Sequence, residues 1–194
     1  LNQTGYTQPA LFAFEVALFR LLEWHGLRPD HLIGHSIGEL VAAHLAGVFD
    51  LGDACALVAA RARLMQSMPA GGAMLSAHRT AEEIEPYLRE HAGRVAIAAI
   101  NDPRSVVLSG DEDALASIGQ ALTDLGHRTR RLNVSHAFHS PHTDGILDEF
   151  AAAVAAAHPS APHIPVISNV TGEPATGEQL ASTEYWVRHL RGTV

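Results

Sequence analysis

Residues 32–39 read LIGHSIGE, a short apolar run that breaks at once into a serine between two glycines. An apolar strand ending in G-x-S-x-G and followed directly by a helical pattern is a nucleophile elbow. Small residues at Gly34 and Gly38 let the backbone turn tightly, so the serine hydroxyl stands clear of the sheet. Ser36 is therefore the candidate nucleophile. The helix that starts near Gly38 aims its N-terminus at this hydroxyl, and the backbone N–H of Ile37 falls where an oxyanion forms on a tetrahedral intermediate. Both features suit acyl transfer.

At 194 residues the chain has room for one domain with a small insert. It opens on Leu1 and is already at a helix start by Thr7, which reads as a piece of something longer. The formal net charge of -8 argues against nonspecific nucleic-acid binding. No apolar run has the length of a membrane span, and no signal-peptide pattern opens the chain. One cysteine, Cys55, rules out a disulfide framework, suits a reducing cytoplasmic compartment and is read as a core residue. All 13 basic residues are arginine. Without lysine the chain has no Walker A loop, no Ser/Lys dyad, no Schiff base and no kinase-type phosphate lysine.

Residues 7–25 predict an amphipathic helix capped by Thr7, with Pro9 in its first turn and Leu11, Phe12, Val16, Leu18, Phe19 and Leu22 on a helical period. The elbow and its helix follow, closed by Gly47, and Asp50 caps another helix carrying Arg61 and Arg63. From Gly72 the pattern changes. Residues 73–77, 95–100, 105–109 and 129–134 predict strands, with helices at 80–88, opened by a Thr80/Glu83 capping box, and at 111–125. The order βαββαβ is that of a ferredoxin-like unit. We read residues 73–134 as an insert between 1–72 and 135–194. After it, Ser140 and Pro141 open a long alanine-rich helix to about Ala157, residues 165–168 form a strand, and 182–190 a short helix.

A serine hydroxyl needs a base to take its proton. His139, where the insert rejoins the main body, is the strongest candidate. The spacing of His136, His139 and His142 imitates a metal site, but no H-E-x-x-H accompanies it and the segment straddles a turn. A guanidinium at Arg61 would take a substrate carboxylate in a two-pronged pair and so select a dicarboxylic half-thioester. The spacing alone does not separate Arg61 from Arg63.

Six segments carry a resemblance: TGYTQPALFA (4–13), GHSIGE (34–39), AARARLMQ (59–66), VSHAFHSP (134–141), SNVTG (168–172) and EYWVRHLR (184–191). Together they resemble the acyltransferase domain of modular type I polyketide synthases, related to malonyl-CoA:acyl carrier protein transacylases, over nearly the whole chain. The resemblance implies an α/β-hydrolase-like core with a ferredoxin-like insert, truncated at both ends. It makes Ser36 the acylated nucleophile, His139 its base and acid, and Arg61 the partner of the extender unit's carboxylate. Gln8, His35, Ile37, His136 and Phe138 are implied along the substrate pocket, and the backbone of Tyr185 as the group orienting His139. The stretch HAFH, with Ile37, goes with malonyl selection, Phe138 filling the space of a 2-methyl group. The donor implied is malonyl-CoA, and the acceptor is the phosphopantetheine thiol of an acyl carrier protein, beside a ketosynthase in the same polypeptide. No metal and no bound cofactor are implied. A second oxyanion donor, on a loop after the family's N-terminal strand, falls before Leu1, and the closing segment falls beyond Val194.

Two other classes stay open. A serine hydrolase shares the elbow but wants an acid between serine and histidine; Asp102, Asp111, Asp113 and Asp124 all lie in the insert. Asp144-Gly145-Ile146 half matches a Ser/Asp-dyad signature. The non-catalytic alternative is a docking fragment, with His127, Arg128, Arg130 and Arg131 meeting an acidic carrier protein.

Overall fold

The computed structural model describes residues 3–194, a mixed α/β chain built on two sheets. In chain order the elements are α1 (Thr4–Trp24), β1 (Leu32–Ile33), α2 (Ile37–Leu45), α3 (Leu51–Gln66), β2 (Gly72–Ala77), α4 (Ala81–Glu90), β3 (Val95–Asp102), β4 (Ser105–Asp111), α5 (Glu112–Asp124), β5 (Thr129–Arg131), a 3-10 turn (Pro141–Ile146), α6 (Leu147–Ala155), β6 (Val166–Ile167), α7 (Gly177–Ala181) and α8 (Thr183–Arg191).

β1 and β6 pair in parallel, Leu32 opposite Val166. Around them α2 is buried almost throughout and packs with α3, α6 and α8 into one apolar cluster. Its largest buried member is Trp186, whose indole N–H donates to the Leu180 carbonyl at 2.9 Å and whose ring meets Phe49 at 5.5 Å. A buried indole keeps its polar handle satisfied in this way, so its large apolar area stabilises the helix packing at no hydrogen-bond cost.

The second sheet has the order β3-β4-β2-β5 with every pair antiparallel. Its two faces have different jobs. Ala73, Leu75, Ala77, Val95, Val106 and Leu108 meet α4 and α5 through Ile84, Leu115, Ile118 and Leu122. Met74, Ala98, Ala99 and Val107 turn the other way, the two alanines together because the β3–β4 register shifts between Ile97 and Ala99, and pack with Phe138 and Val194. With that shift, period-two alternation brings one face of this sheet over the elbow.

Several boundaries differ from the sequence reading. Helix α1 begins at Thr4, not after Thr7, because the Thr7 hydroxyl bonds back to the Gln3 carbonyl at 3.0 Å while Gln66 of α3 accepts from the Gly5 N–H at 3.1 Å and does the capping. Its apolar period is only partly buried: Phe12 is, but Leu11, Leu18 and Leu22 are exposed. Strand β5 stops at Arg131. The chain must rise over Gly72, where a Cβ would sit 2.7 Å from that of Ala137, to deliver residues 136–139 to the site. The long helix expected from Ser140 starts instead as a 3-10 turn, because Ser140 and Thr143 side chains bond to main chain two and three residues away. Cys55 lies on the exposed side of α3, not in the core, since the buried stripe there runs through Ala54, Leu57, Val58 and Arg61. Helix α7, with its Thr176/Gln179 capping box, has no counterpart in the sequence reading.

Candidate active site

The site is built where β1 passes into α2. A Cβ on Gly34 would lie 2.0 Å from the carbonyl carbon and oxygen of Gly38 and 2.4 Å from the Glu39 nitrogen, so no other residue fits there. Gly38 carries no such requirement; a Cβ there would meet only Glu15 Oε2, at 3.5 Å. The turn's small-residue demand therefore falls on Gly34 alone. Ser36 is held at φ 55 and ψ -113, a conformation costing about 1 to 3 kcal/mol for a residue with a side chain. The surroundings hold it there. The Ser36 N–H donates to Asn169 Oδ1 at 2.9 Å, and Asn169 Nδ2 donates to the Gly34 carbonyl at 2.6 Å, so one side chain clasps the elbow on both sides. Ile37 is the first residue of α2, where backbone N–H groups are left over from the helical ladder.

Ser36 Oγ lies 2.7 Å from His139 Nε2 and 2.9 Å from Arg61 Nη2. A guanidinium can only donate, so Oγ accepts from Arg61, and main-chain groups of Gly192 and His189 on the buried ring favour its proton on Nδ1, which leaves Oγ to donate to Nε2. Nε2 is thus the acceptor nitrogen, and the ring proton belongs on Nδ1. His139 is 4% exposed, and burial together with the positive Arg61 pulls its pKa down to about 3. It is a neutral, proton-accepting imidazole at any physiological pH. Nδ1 is buried and makes no hydrogen bond of normal geometry, while the main chain of Gly192 and of His189 acts on the ring to favour its charged form.

That pair corrects the reading of Tyr185, whose backbone is not what faces His139. Tyr185 lies one helical turn earlier in α8, and its N–H is capped by Ser182 Oγ at 3.1 Å. Its hydroxyl serves Glu39 and Ser168. No carboxylate among the described residues bonds His139. Asp111 takes His142 and Arg94, Asp113 takes Arg94, and Asp144 takes Arg191.

Arg61 is 2% exposed, and burial lowers its pKa to about 10, which still leaves it charged. Its Nη1 donates to Gln8 Oε1, and Gln8 Nε2 is spent on the Thr4 hydroxyl at 2.7 Å and Met65 sulfur at 3.3 Å. Its Nε has no partner. No ion pair to Arg61 occurs among the described residues, an uncommon state for a buried cation. Arg63 is the ordinary surface charge, paired with Glu149 at 2.7 Å.

A cavity of about 350 Å³ opens over these groups. Gln8, His35, Ser36, Ile37, Arg61, Phe138 and His139 line one side, and Met74, Ala98 and Val107 of the second sheet, with Leu132 just past β5, line the other. His136 does not reach it. It is buried behind Phe138, ring to ring at 6.2 Å, with Nδ1 on Ser135 Oγ at 2.9 Å. The three closely spaced histidines thus go to three different partners: His136 to Ser135, His139 to Ser36 and His142 to Asp111. No cluster of three metal-ligating side chains occurs among the described residues, and none of their helices is long and apolar enough to cross a membrane. Of the basic run at 127–131, Arg131 is paired with Glu112, and Arg128 and Arg130 flank a separate polar cleft with Ser76 and His78. Sequence reasoning missed Glu39 and Asn169 as parts of the site. Both stand inside quoted segments, GHSIGE and SNVTG, but only the fold brings them together.

The family profile for the acyl transferase domain matches residues 1–194. The spectinabilin polyketide synthase system protein NorB of Streptomyces orinoci is 54% identical over 194 residues, all of this chain and 9% of that protein. Among solved structures, the acyltransferase domain from the second module of the salinomycin polyketide synthase superposes with a TM-score of 0.95 at 54% identity, covering 100% of this chain and 45% of that one. The malonyl CoA-acyl carrier protein transacylase of Burkholderia pseudomallei superposes with a TM-score of 0.89 at 36% identity, covering 100% and 67%.

Proposed function

Because the chain belongs to the acyl transferase domain family found in polyketide synthases, we propose that it loads an extender unit, malonyl in preference, from coenzyme A onto the phosphopantetheine thiol of an acyl carrier protein by way of an ester on Ser36. The observation that carries the substrate class is Arg61. A buried guanidinium with no carboxylate partner, an unused Nε and a hydrogen bond to the nucleophile fits an acyl group that brings its own carboxylate. A plain acyl chain would leave that charge uncompensated.

In the first half-reaction His139 Nε2 takes the proton of Ser36 Oγ as Oγ attacks the thioester carbonyl. The Oγ–C bond forms, the oxyanion is received by the Ile37 N–H, and the C–S bond breaks with the proton passing from His139 to the coenzyme A sulfur. In the second half the carrier's thiol gives its proton to His139, its sulfur attacks the ester carbonyl, and Ser36 leaves and recovers the proton. Arg61 holds the malonyl carboxylate throughout, so orientation is retained between the halves. Phe138, with His136 packed behind it, occupies the ground a 2-methyl substituent needs. Gln8, oriented by Thr4, fixes the Arg61 fork, and His35 and Ile37 shape the cavity wall.

We read the architecture as an α/β-hydrolase-like core, residues 1–72 and 135–194, with a ferredoxin-like subdomain at 73–134. The sheet order β3-β4-β2-β5 and the helices on a single face support that reading. The relatives being multidomain synthases supports an acyl carrier protein and a ketosynthase as partners, and a cytoplasmic setting. No cofactor of the chain's own enters the mechanism.

The test is the fate of the acyl group. With malonyl-CoA and a phosphopantetheinylated carrier protein, the malonyl thioester of the carrier is the expected product. Free malonate at a rate indifferent to the carrier would make this a hydrolase instead.

A further inference from the structure

We propose that Glu39 is a positioning residue that locks the nucleophile and its base into register. The proposal rests on the Ser36/His139 pair acting as described above. Glu39 lies in the first turn of α2, three residues after Ser36, and is 0% exposed. A fully buried carboxylate is retained only where its lone pairs are met by donors. Here the donors come from both parts of the site. Oε2 accepts from the Asn169 N–H at 2.7 Å, and Asn169 is the residue whose side chain clasps Ser36 and Gly34. Oε1 accepts from the Tyr185 hydroxyl, which also lies 2.7 Å from Ser168 Oγ.

Through Tyr185 the carboxylate reaches helix α8, and α8 forms the back wall of the base. The His189 ring stacks on Tyr185 with centroids 6.5 Å apart and an angle of 10°, and presents an edge to His139 at 6.3 Å. His189 Nε2 lies 3.5 Å from Glu39 Oε2 and has no hydrogen bond of its own. The main chain of His189 and Gly192 is what acts on the His139 ring. One carboxylate therefore fastens the loop that holds Ser36 to the helix that backs His139, which arrive from positions 103 residues apart in the chain. Misplacement of such a pair by an ångström costs about 100-fold in rate.

The test uses the full chain with Glu39→Gln, isosteric but able to accept at only one of its two ends. We expect the single-turnover rate of Ser36 acylation by malonyl-CoA to fall about 100-fold, with KM within about twofold. Inactivation of Ser36 by a serine-directed sulfonyl fluoride, which needs no coenzyme A site, is expected to slow in parallel. Tyr185→Phe, the milder change, is expected to lower both rates in the same direction. Combining it with Glu39→Gln should add little, since the two act through one contact. A Glu39→Gln protein that melts normally and acylates at the parental rate, or loses only KM, would overturn the proposal. So would additive losses in the double variant. Should Glu39→Gln not fold, a Tyr185→Phe protein with both rates unchanged overturns it on its own. A parent chain that reacts with the sulfonyl fluoride but is never acylated would instead count against the transferase reading.

Discussion

Arg61 donates from Nη2 to the Oγ of Ser36 at 2.9 Å, so the buried cation of the site touches the nucleophile itself. This contact has two consequences. It leaves the Ser36 proton free to point toward His139, and it adds to burial in holding that histidine neutral until the reaction supplies a proton. In the proposed reaction a substrate carboxylate arriving at Arg61 would offset that charge and make His139 a stronger base.

The same contact predicts how Arg61 variants divide substrates. Arg61→Ala removes charge-assisted hydrogen bonds, each with a net contribution of about 1.5 to 3 kcal/mol. Malonyl loading is expected to fall about 10- to 100-fold more than acetyl loading, because acetyl brings no carboxylate to be held. Competition between malonyl-CoA and acetyl-CoA, read by mass spectrometry of the acylated protein, measures the ratio. Equal losses for the two would assign Arg61 to the fold.

Phe138 stands partly buried on the cavity wall with His136 behind it. Replacing it by serine opens room for a methyl group, and one methyl in such a pocket contributes about 1 to 3 kcal/mol of discrimination. The Phe138→Ser protein is expected to raise methylmalonyl loading relative to malonyl by about tenfold, measured with both donors present. An unchanged ratio would place the selecting contact elsewhere.

Two of the three buried histidines among the described residues, His139 and His189, give the clearest pH signature. The folded pKa of His139 is lowered to about 3, and that of His189 is held well below its usual value, in both cases first by burial. Above about pH 6.5 both are neutral folded or unfolded, and neither makes stability depend on pH. Below that, the unfolded chain takes protons the native site refuses, so stability falls by about 1.4 kcal/mol per pH unit for each histidine, until the folded groups titrate. Urea unfolding between pH 7 and 5 is expected to show this loss, and His189→Leu to reduce its slope. Acylation, by contrast, is expected to persist below pH 6 with no half-point near 6.5, since the base in the free site is already deprotonated there.

Local chemistry was legible in the sequence where a few adjacent residues decide it. The elbow, the Thr80/Glu83 box and the Gly47 helix end all stand where they were expected, because each is settled within about four residues. Distance in the chain hid the rest. Thr7 has the look of a cap, but Gln66, far along in α3, supplies the bond. Spacing left Arg61 and Arg63 level, and only packing buries one and exposes the other. The motif points to Tyr185 as the group facing His139, one helical turn before His189, because a motif fixes the helix but not which of its main-chain groups face inward. Glu39 showed no sign of its partners, which come from the segments around 169 and 185. The exposed apolar side chains of α1 contradict a simple amphipathic reading, in which Leu11, Leu18 and Leu22 would be covered.

The proposed transfer requires an ester at Ser36. After brief incubation with malonyl-CoA and an acid quench, the proteolytic peptide containing Ser36 is expected to carry one malonyl group, lost on adding a carrier thiol and absent from the Ser36→Ala protein. A peptide of unchanged mass, or a malonyl group that persists in Ser36→Ala, would contradict it.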